Sequence, residues 1–135
     1  MTTRPDHRFE TQRTNVHTAL QALKQSVTQP VKEPRDLSGI IKDFEIVYEL
    51  SWKALKTFLE NQGHETTSAR DAFSKAYQLG FVREQHVWLE MINDRNLTVH
   101  TYDRQLAKAM CDRIRQKYSP AFQTLFAVLT KKRKH

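Results

Sequence analysis

The sequence predicts an all-α protein, a compact antiparallel helical bundle of about five to six helices. Apolar residues recur at helical spacing along most of the 135 residues, and no segment shows the alternation of a β-strand. Three glycines and four prolines favour long helices over a fold with many turns. A chain of this length suits one domain, so we expect a single helical domain over residues 1–135.

The first two helices are predicted from their apolar faces and from the residues at their ends. A helix over 6–28 carries one apolar stripe, and Pro30 and Pro34 form the linker that follows it. Asp36 is a candidate N-cap for the second helix, which Gly63 closes. Because the second helix is apolar on more than one side, we expect it at the centre of the bundle.

The next two helices are predicted to be short. Thr67 or Ser68 can cap a third helix that Gly80 stops. The apolar residues of the fourth helix are Val87, Trp88, Met91 and Ile92. Asn93 or Asp94 is expected either to end this fourth helix or to cap the one that follows.

A fifth helix is predicted to run through residues 95–102 to about Tyr118. Its apolar stripe comprises Val99, Tyr102, Leu106, Ala109, Met110 and Ile114. Ser119 and Pro120 have the pattern of a cap and a first-turn proline, which predicts the start of a last helix. The apolar residues of that helix are Phe122, Leu125, Phe126 and Leu129.

Positive charge is concentrated towards the C-terminus. Residues 1–103 carry 13 basic and 14 acidic side chains, whereas residues 104–135 carry nine basic side chains against Asp112 alone. A basic end suits a polyanion such as RNA, and the alternative is a solvated helix face. We predict that the last five residues, 131–135, form a disordered basic tail, because short tails of this kind are common and unspecific.

The sequence contains no pattern that indicates secretion or a membrane. The single cysteine, Cys111, cannot form an internal disulfide, and the polar N-terminal residues lack the apolar region of a signal peptide. No run approaches the ~18 apolar residues that span a bilayer. The expected location is therefore the cytoplasm.

Residues 95–102, Arg-Asn-Leu-Thr-Val-His-Thr-Tyr, carry groups that can act on a phosphodiester, and we call them the 95–102 motif. Arg95 can bind phosphate bidentately, and His100 can accept or donate a proton near pH 7. On an ideal helix Asn96 shares a face with His100, whereas Arg95 lies about 140° away from it. Arg95 and His100 are therefore expected to converge only if Arg95 lies in the first turn of a helix.

The chemistry of RNA cleavage predicts a homodimer. Attack by the 2′-hydroxyl of RNA needs a base, an acid and stabilisation of negative charge around phosphorus. One motif supplies too few groups, whereas a two-fold dimer supplies two arginines and two histidines. By spacing alone, other interpretations stay open. Arg95 can pair with Glu90 or Asp94, His100 can bond a carbonyl, and Tyr102 can be a core residue.

Three stretches carry a resemblance to a known family: residues 43–56, residues 68–73 with 80–82, and residues 88–102. The third contains Arg95, His100 and Tyr102 in the pattern Arg-x4-His-x-Tyr and is the most specific. On these residues the chain resembles the HEPN superfamily. Within it, the chain is similar to the nucleotidyltransferase substrate-binding family, which includes HepT-like toxins. The resemblance covers roughly residues 10–130 and implies a helical bundle that dimerises across the motif.

The resemblance also implies a function. It implies a metal-independent endoribonuclease of a toxin–antitoxin pair, without a cofactor, that uses Arg95 and His100 with Asn96 as their polar neighbour. It implies a minimal nucleotidyltransferase antitoxin that transfers AMP to Tyr102 and thereby silences the nuclease.

Two alternatives to the nuclease remain. One is a non-catalytic subunit that presents substrate to a nucleotidyltransferase, and the other is a basic RNA-binding module without cleavage. The intact motif favours the enzyme, because a pure binding subunit has no need of Arg95 and His100 together.

Other candidate sites are weaker. The six histidines are scattered without the spacing of metal ligands, and the sequence lacks both a glycine-rich phosphate loop and a nucleotidyltransferase signature. Glu45 and Glu49 share a face of the second helix, where contact with substrate or partner is one interpretation. We favour solvated charges paired with Lys53 or Lys42. Both tryptophans are interpreted as core residues rather than as platforms for RNA bases.

Overall fold

The structure, a computed structural model, describes the backbone of residues 3–132 and the side chains of residues 7–131. The α-helices in this part of the chain are α1 (Thr3–Thr28), α2 (Pro34–Glu60), α3 (Ala69–Gln78), α4 (Gln85–Leu97), α5 (Arg104–Arg113) and α6 (Ser119–Lys132). A 3-10 turn over Thr98–His100 follows α4, and a π-helical turn over Ile114–Tyr118 joins α5 to α6. No strand occurs among the described residues, which confirms the predicted all-α fold.

The helices α1 and α2 form an antiparallel pair. Arg8 near the start of α1 pairs with Glu60 at the end of α2 at 3.2 Å, whereas Ser26 near the end of α1 donates a hydrogen bond to Asp43 near the start of α2. This arrangement follows from the short linker at 29–33, because a connection of this length brings consecutive helices back against each other.

The ends of α2 and α3 are fixed by local hydrogen bonds. Asp36 is not the N-cap of α2 as predicted: Glu33 holds that position, and the Asp36 carboxylate accepts the backbone N–H groups of Lys32 and Glu33. These bonds lower the pKa of Asp36. Ser68 is the N-cap of α3, as one of the two predicted candidates, and its hydroxyl accepts the N–H of Asp71 at 3.1 Å.

The helix α2 lies at the centre of the bundle and packs against α1, α3, α5 and α6, which confirms its predicted position. Aromatic rings connect the layers. Phe44 of α2 stacks on Tyr118 with ring centres 5.5 Å apart, and Trp88 of α4 stacks on Phe73 of α3 at 4.4 Å. Trp88 is buried in the core as predicted, whereas Trp52 is only half-buried at its edge.

The prediction that a fifth helix runs through the 95–102 motif is wrong. The helix α4 continues past Asn93 and Asp94 to Leu97, and α5 begins only at Arg104. The carboxylate of Asp103 accepts the N–H groups of Gln105 and Leu106 and so caps α5 at this point. The motif therefore forms the last turn of one helix and the turn after it.

Half of the predicted fifth stripe is exposed, and the break accounts for two of these exposed residues, Val99 and Tyr102. Val99 and Tyr102 are 70% and 84% exposed, and Ala109 is exposed as well. Met110 and Ile114 are buried as predicted. The stripe fails because Val99 and Tyr102 lie outside any α-helix, so the 3.6-residue period does not carry them to the core side.

As predicted, the last helix, α6, begins at Ser119 with Pro120 in its first turn, but Ser119 is not a cap, because its backbone is helical and α6 continues directly from the π turn. Pro120 has no N–H, and its ring crowds the carbonyl one turn earlier. The π turn at 114–118 lies at that place, and a wider turn accommodates such a defect. Of the predicted tail at 131–135, Lys131 and Lys132 belong to α6, and residues 133–135 lie outside the described residues, so the tail stays a prediction.

Candidate functional site

Arg95 lies in the last turn of α4 and faces α2. Its Nη1 lies 3.6 Å from Oε2 of Glu45, and its Nε lies 3.8 Å from Oε2 of Glu49. Glu49 also lies 3.8 Å from Lys53, as predicted, and accepts the indole N–H of Trp52 at 3.3 Å. The two glutamates are therefore also the acidic partners of Arg95, a pairing that the prediction of solvated charges paired with lysine did not include.

Thr98, the fourth residue of the motif, connects Arg95 to Glu45. The Thr98 hydroxyl is buried and accepts a hydrogen bond from Arg95 Nη1 at 3.3 Å. The same oxygen lies 2.7 Å from Oε2 of Glu45 and 2.8 Å from the Arg95 carbonyl, and its single proton can serve one of them at a time. Thr98 thus fixes the end of α4 against α2.

The Arg95 guanidinium has balanced charge but unused hydrogen-bond donors. Both glutamate oxygens lie beyond the 2.7–3.2 Å, roughly, of an N–H···O hydrogen bond. Arg95 Nε is buried and has no hydrogen-bond partner among the described residues. A buried unpaired donor is uncommon in proteins. The Arg95 side chain as a whole is 32% exposed, so a phosphate oxygen can reach the outer part of the guanidinium but not the buried Nε.

His100 and Tyr102 lie together on the exposed turn after α4. Their rings meet edge to face with centres 6.0 Å apart, and both side chains are exposed. Asn96 is exposed too. No hydrogen bond or ion pair joins Arg95 to His100 among the described residues. One chain therefore brings the histidine to the tyrosine but not to the arginine.

The helical spacings used for the motif do not apply as predicted. Arg95 is in the last turn of its helix rather than in the first. From Thr98 the chain advances by about 120° per residue, as a 3-10 turn does, so Asn96 and His100 are not held on one face by an α-helix. The alternative of a buried His100 bonded to a carbonyl and that of a core Tyr102 are both excluded by their exposure.

Asp94, next to Arg95, is the centre of a buried polar network. It is 4% exposed and receives two hydrogen bonds from Arg113, from Nε at 2.7 Å and from Nη2 at 2.8 Å. It also accepts the hydroxyl of Tyr118. Hydrogen bonding to Asp94 raises the pKa of Arg113, and burial together with that hydrogen bond raises the pKa of Tyr118.

The network ties the end of α4 to the π turn and so holds the backbone from which Arg95 projects. Glu90 pairs with Lys117 at 3.1 Å instead of with Arg95. The predicted alternative pairing of Arg95 with Glu90 or Asp94 is therefore wrong, because both acids have other partners.

The sequence contained a signal for the residues that were missed. Glu45 and Glu49 are four apart on α2, which places both on one face, and both belong to the first stretch that carried the family resemblance. A pair of acids on a mainly buried helix needs a cation opposite to them. Thr98 gave no comparable signal, because its role depends on the 3-10 turn.

Comparison with known proteins identifies the family. The family model described as "Nucleotidyltransferase substrate binding protein like" matches residues 11–131. The chain therefore belongs to this nucleotidyltransferase substrate-binding family, as its resemblance to HEPN proteins implied.

Individual relatives agree with the family. The chain is 33% identical over 79 residues to a protein of Haemophilus influenzae called "Probable ribonuclease HepT", a match that spans 55% of this chain and only 54%, about half, of that relative. A protein of known structure from Thermus thermophilus is 32% identical, with a TM-score of 0.81 over 86% of this chain and 99% of that one.

A more distant structure shares the fold alone. It is the tri-AMPylated HEPN toxin of Shewanella oneidensis in complex with its MNT antitoxin. Identity is 15%, and the TM-score is 0.73 over 90% of this chain and 96% of that one.

Two further observations concern the described residues alone. Between residues 3 and 132, no helix has the length and apolarity that crossing a bilayer requires. In the same part of the chain, no three His, Cys, Asp or Glu side chains lie together as a group able to hold a metal ion.

Proposed function

We propose that this protein is a HepT-like toxin, a metal-independent endoribonuclease whose active site is built from two copies of the 95–102 motif. The observation that carries the proposal is the state of Arg95. Its charge is balanced by Glu45 and Glu49 at distances beyond hydrogen-bond length, its side chain is 32% exposed, and an exposed His100 follows five residues later. Two copies of these groups, brought together in a dimer, can bind a phosphate and move a proton.

In the proposed reaction, one His100 takes the proton of the ribose 2′-hydroxyl. The 2′-oxygen bonds to the adjacent phosphorus, and the bond from phosphorus to the 5′-oxygen breaks. The His100 of the second copy gives that oxygen a proton, and Arg95 stabilises the charge on the non-bridging oxygens. The products are a 2′,3′-cyclic phosphate and a 5′-hydroxyl, so no water and no metal ion is needed for this step.

A homodimer is part of this proposal, because one chain offers one exposed imidazole in the motif. Three apolar side chains of the motif are exposed, Leu97 at 38%, Val99 at 70% and Tyr102 at 84%. Exposed apolar side chains that lie together favour a protein contact. A two-fold axis through this turn would cover them and bring the two histidines towards each other.

The partner in this proposal is a minimal nucleotidyltransferase antitoxin, and Tyr102 is the acceptor of AMP. The Tyr102 oxygen attacks the α-phosphorus of ATP, pyrophosphate leaves, and the phenolic proton passes to the transferase or to solvent. Tyr102 suits this role because its side chain is 84% exposed in a turn. The Shewanella relative, which is AMP-modified and bound to an MNT antitoxin, supports the assignment of the partner's class.

The decisive experiment compares Arg95→Ala and His100→Ala with the matched controls Arg83→Ala and His86→Ala, whose side chains are exposed outside the motif. The motif variants should cleave RNA ~10²–10³-fold more slowly, and the controls at the unmodified rate. Activity should persist with a chelator and leave cyclic phosphate ends. Equal rates in all four variants would refute the proposal.

A second experiment tests the modification. After co-expression with the proposed nucleotidyltransferase antitoxin, the mass of the chain should rise by whole AMP units, and Tyr102→Phe should abolish the rise. Tyr77→Phe is the matched control, because Tyr77 is an exposed tyrosine on α3 at 45%. An unmodified Tyr102 in a fully inhibited complex would exclude this switch.

The alternative function is that of a non-catalytic subunit that presents substrate to a nucleotidyltransferase. The description of the matching family favours it. It predicts a stable complex with the transferase and no cleavage of RNA by the purified chain, so the first experiment separates the two functions.

A further inference from the structure

A cleft of about 560 Å³ lies between the α1–α2 linker and α5, and its lining includes no residue of the 95–102 motif. We call it the linker cleft. One wall consists of residues 27–34 with Leu37, and the other is one face of α5 and the π turn. That face presents Arg104, Lys108, Cys111 and Arg115, whose spacings of four, three and four residues define a single helical stripe. Its volume lies within the roughly 300–1,000 Å³ of typical small-ligand pockets.

The linker cleft carries a net positive charge that its own carboxylates do not neutralise. Asp112 pairs with Arg115 at 3.5 Å, and Glu33 pairs with Arg35 at 3.3 Å. Arg104 and Lys108 are both exposed, and neither has a carboxylate within ion-pair distance among the described residues. Two cations one helical turn apart therefore remain available for an anionic ligand.

The floor of the linker cleft is apolar and uncharged. Val27, Val31 and Leu37 contribute aliphatic surface, and Val31 is 44% exposed. The thiol of Cys111 is buried and donates a weak hydrogen bond to the Leu37 carbonyl at 3.5 Å. Burial raises the pKa of Cys111 to about 11, so the thiol stays neutral at pH 7. A flat, uncharged ring can occupy this space while its attached phosphates reach the rim.

The basic stripe of the linker cleft begins two residues after the 95–102 motif. Arg104 follows Tyr102 by two residues, which limits their Cα separation to about 7 Å, and Lys108 lies about 6 Å further along the helix axis. A strand whose scissile phosphate lies at Arg95 and His100 can thus extend past Arg104 to Lys108. An apolar floor accepts a base only if that base is unpaired, which points to single-stranded rather than duplex RNA.

We propose that the linker cleft is a subsite for single-stranded RNA, in which Arg104 and Lys108 bind phosphates next to the scissile one and one unstacked base lies against Val31 and Leu37. This inference rests on the proposed ribonuclease function for the identity of its ligand. It adds residues outside the 95–102 motif that set where the RNA binds.

The test measures binding separately from cleavage. The full chain carrying His100→Ala is titrated with a fluorescently labelled single-stranded RNA oligonucleotide, and anisotropy is recorded at several salt concentrations. Adding Arg104→Glu and Lys108→Glu together should weaken binding about tenfold or more and lower the salt slope by about 1.4, which is two phosphate contacts on a single strand. The matched control, Lys42→Glu with Arg83→Glu, makes the same charge change at exposed positions outside the cleft.

A second variant tests the apolar floor. Val31→Asp places a carboxylate in the linker cleft from an exposed linker position, so it should weaken binding without loss of thermal stability. Amide resonances of Gln29 and of residues 31–33 should shift when the oligonucleotide is added to the unmodified protein. If both charge-reversal pairs weaken binding equally, net charge alone explains the effect and the subsite is refuted. Unchanged binding in Val31→Asp would refute the subsite as well.

The outcomes separate this inference from the proposed function. If the unmodified protein cleaves RNA and the cleft variants bind it normally, the subsite is refuted and the nuclease stands. If RNA binds in the cleft but is not cleaved, the nuclease is refuted and the subsite stands. If the cleft variants lose only the nucleotidyltransferase partner, the cleft is a protein-docking surface and the subsite is refuted.

Discussion

The buried carboxylate of Asp94 stabilises the end of α4, next to Arg95, and the cost of removing it can be predicted. The carboxylate is 4% exposed and accepts three hydrogen bonds, two from Arg113 and one from Tyr118. Asp94→Ala leaves the Arg113 guanidinium and the buried Tyr118 hydroxyl without their hydrogen-bond acceptor. Loss of one partner of a buried pair costs about 3–5 kcal/mol. We expect about 3 kcal/mol here, because the Arg113 side chain is 27% exposed and can turn to water.

A double-mutant cycle tests the physical reasoning. Tyr118→Phe alone removes one hydrogen bond to a charged group and should cost about 1.5–3 kcal/mol. In the background of Asp94→Ala the same change should cost close to nothing, because the hydroxyl has already lost its acceptor. The double variant should therefore be about as stable as Asp94→Ala alone, a coupling of about 1.5–3 kcal/mol.

Urea unfolding at pH 7, followed by circular dichroism, measures all four proteins of the cycle. The slope against urea should stay constant, so that shifts of the midpoint report stability. If the stability losses of the two single variants add in the double variant, Asp94 and Tyr118 do not act as one network. The inference that this buried network stabilises the backbone next to Arg95 would then be wrong.

Two further predictions concern Arg95 and Cys111. Glu45→Gln should change the free energy of unfolding by less than about 1 kcal/mol, because its ion pair with Arg95 is partly exposed. On the proposed function it should lower kcat for RNA about tenfold with KM nearly unchanged, because the guanidinium loses its orientation. An unchanged kcat would show that Glu45 does not position Arg95. The pKa of Cys111 is raised from 9.0 to about 11 in the folded state, so its contribution to stability is complete below pH 9 and is lost as the pH rises towards 11. In Cys111→Ala the fall in the free energy of unfolding between pH 9 and 11 should be smaller by an amount on the order of 3 kcal/mol. Unfolding experiments from pH 8 to 11 measure it.

The sequence was sufficient for the parts of the fold that depend on local periodicity. The order of the helices, the central position of α2 and the cap at Ser68 follow from apolar spacing and from one side-chain hydrogen bond. The sequence was insufficient where the end of a helix depends on competition between two local structures. The 95–102 motif has an acceptable helical stripe, but the carboxylate of Asp103 satisfies two N–H groups of a new helix, and Thr98 bonds Glu45 fifty-three positions away.

The acidic side of the candidate site could not be predicted from spacing alone. Glu45 and Arg95 are distant in sequence, and their pairing depends on how α4 crosses α2. The basic C-terminal part shows the same limit. Composition gave nine positive charges beyond residue 103, but Arg113 binds a buried carboxylate, and Lys117 pairs with Glu90. Only a structure separates cations that hold the fold from those that face a ligand.

The break in the helix also determines how AMP would act on the proposed nuclease. The Tyr102 ring contacts the ring of His100, whereas Arg95 lies against α2 and is held by Glu45 and Glu49. A nucleotide attached to the Tyr102 oxygen would therefore lie next to the imidazole. On the proposed function, modification would first deny His100 access to the 2′-hydroxyl. A continuous helix would have placed Tyr102 and His100 on different faces, so on the proposed function this one turn would supply both the proton-transfer group and the means of silencing it.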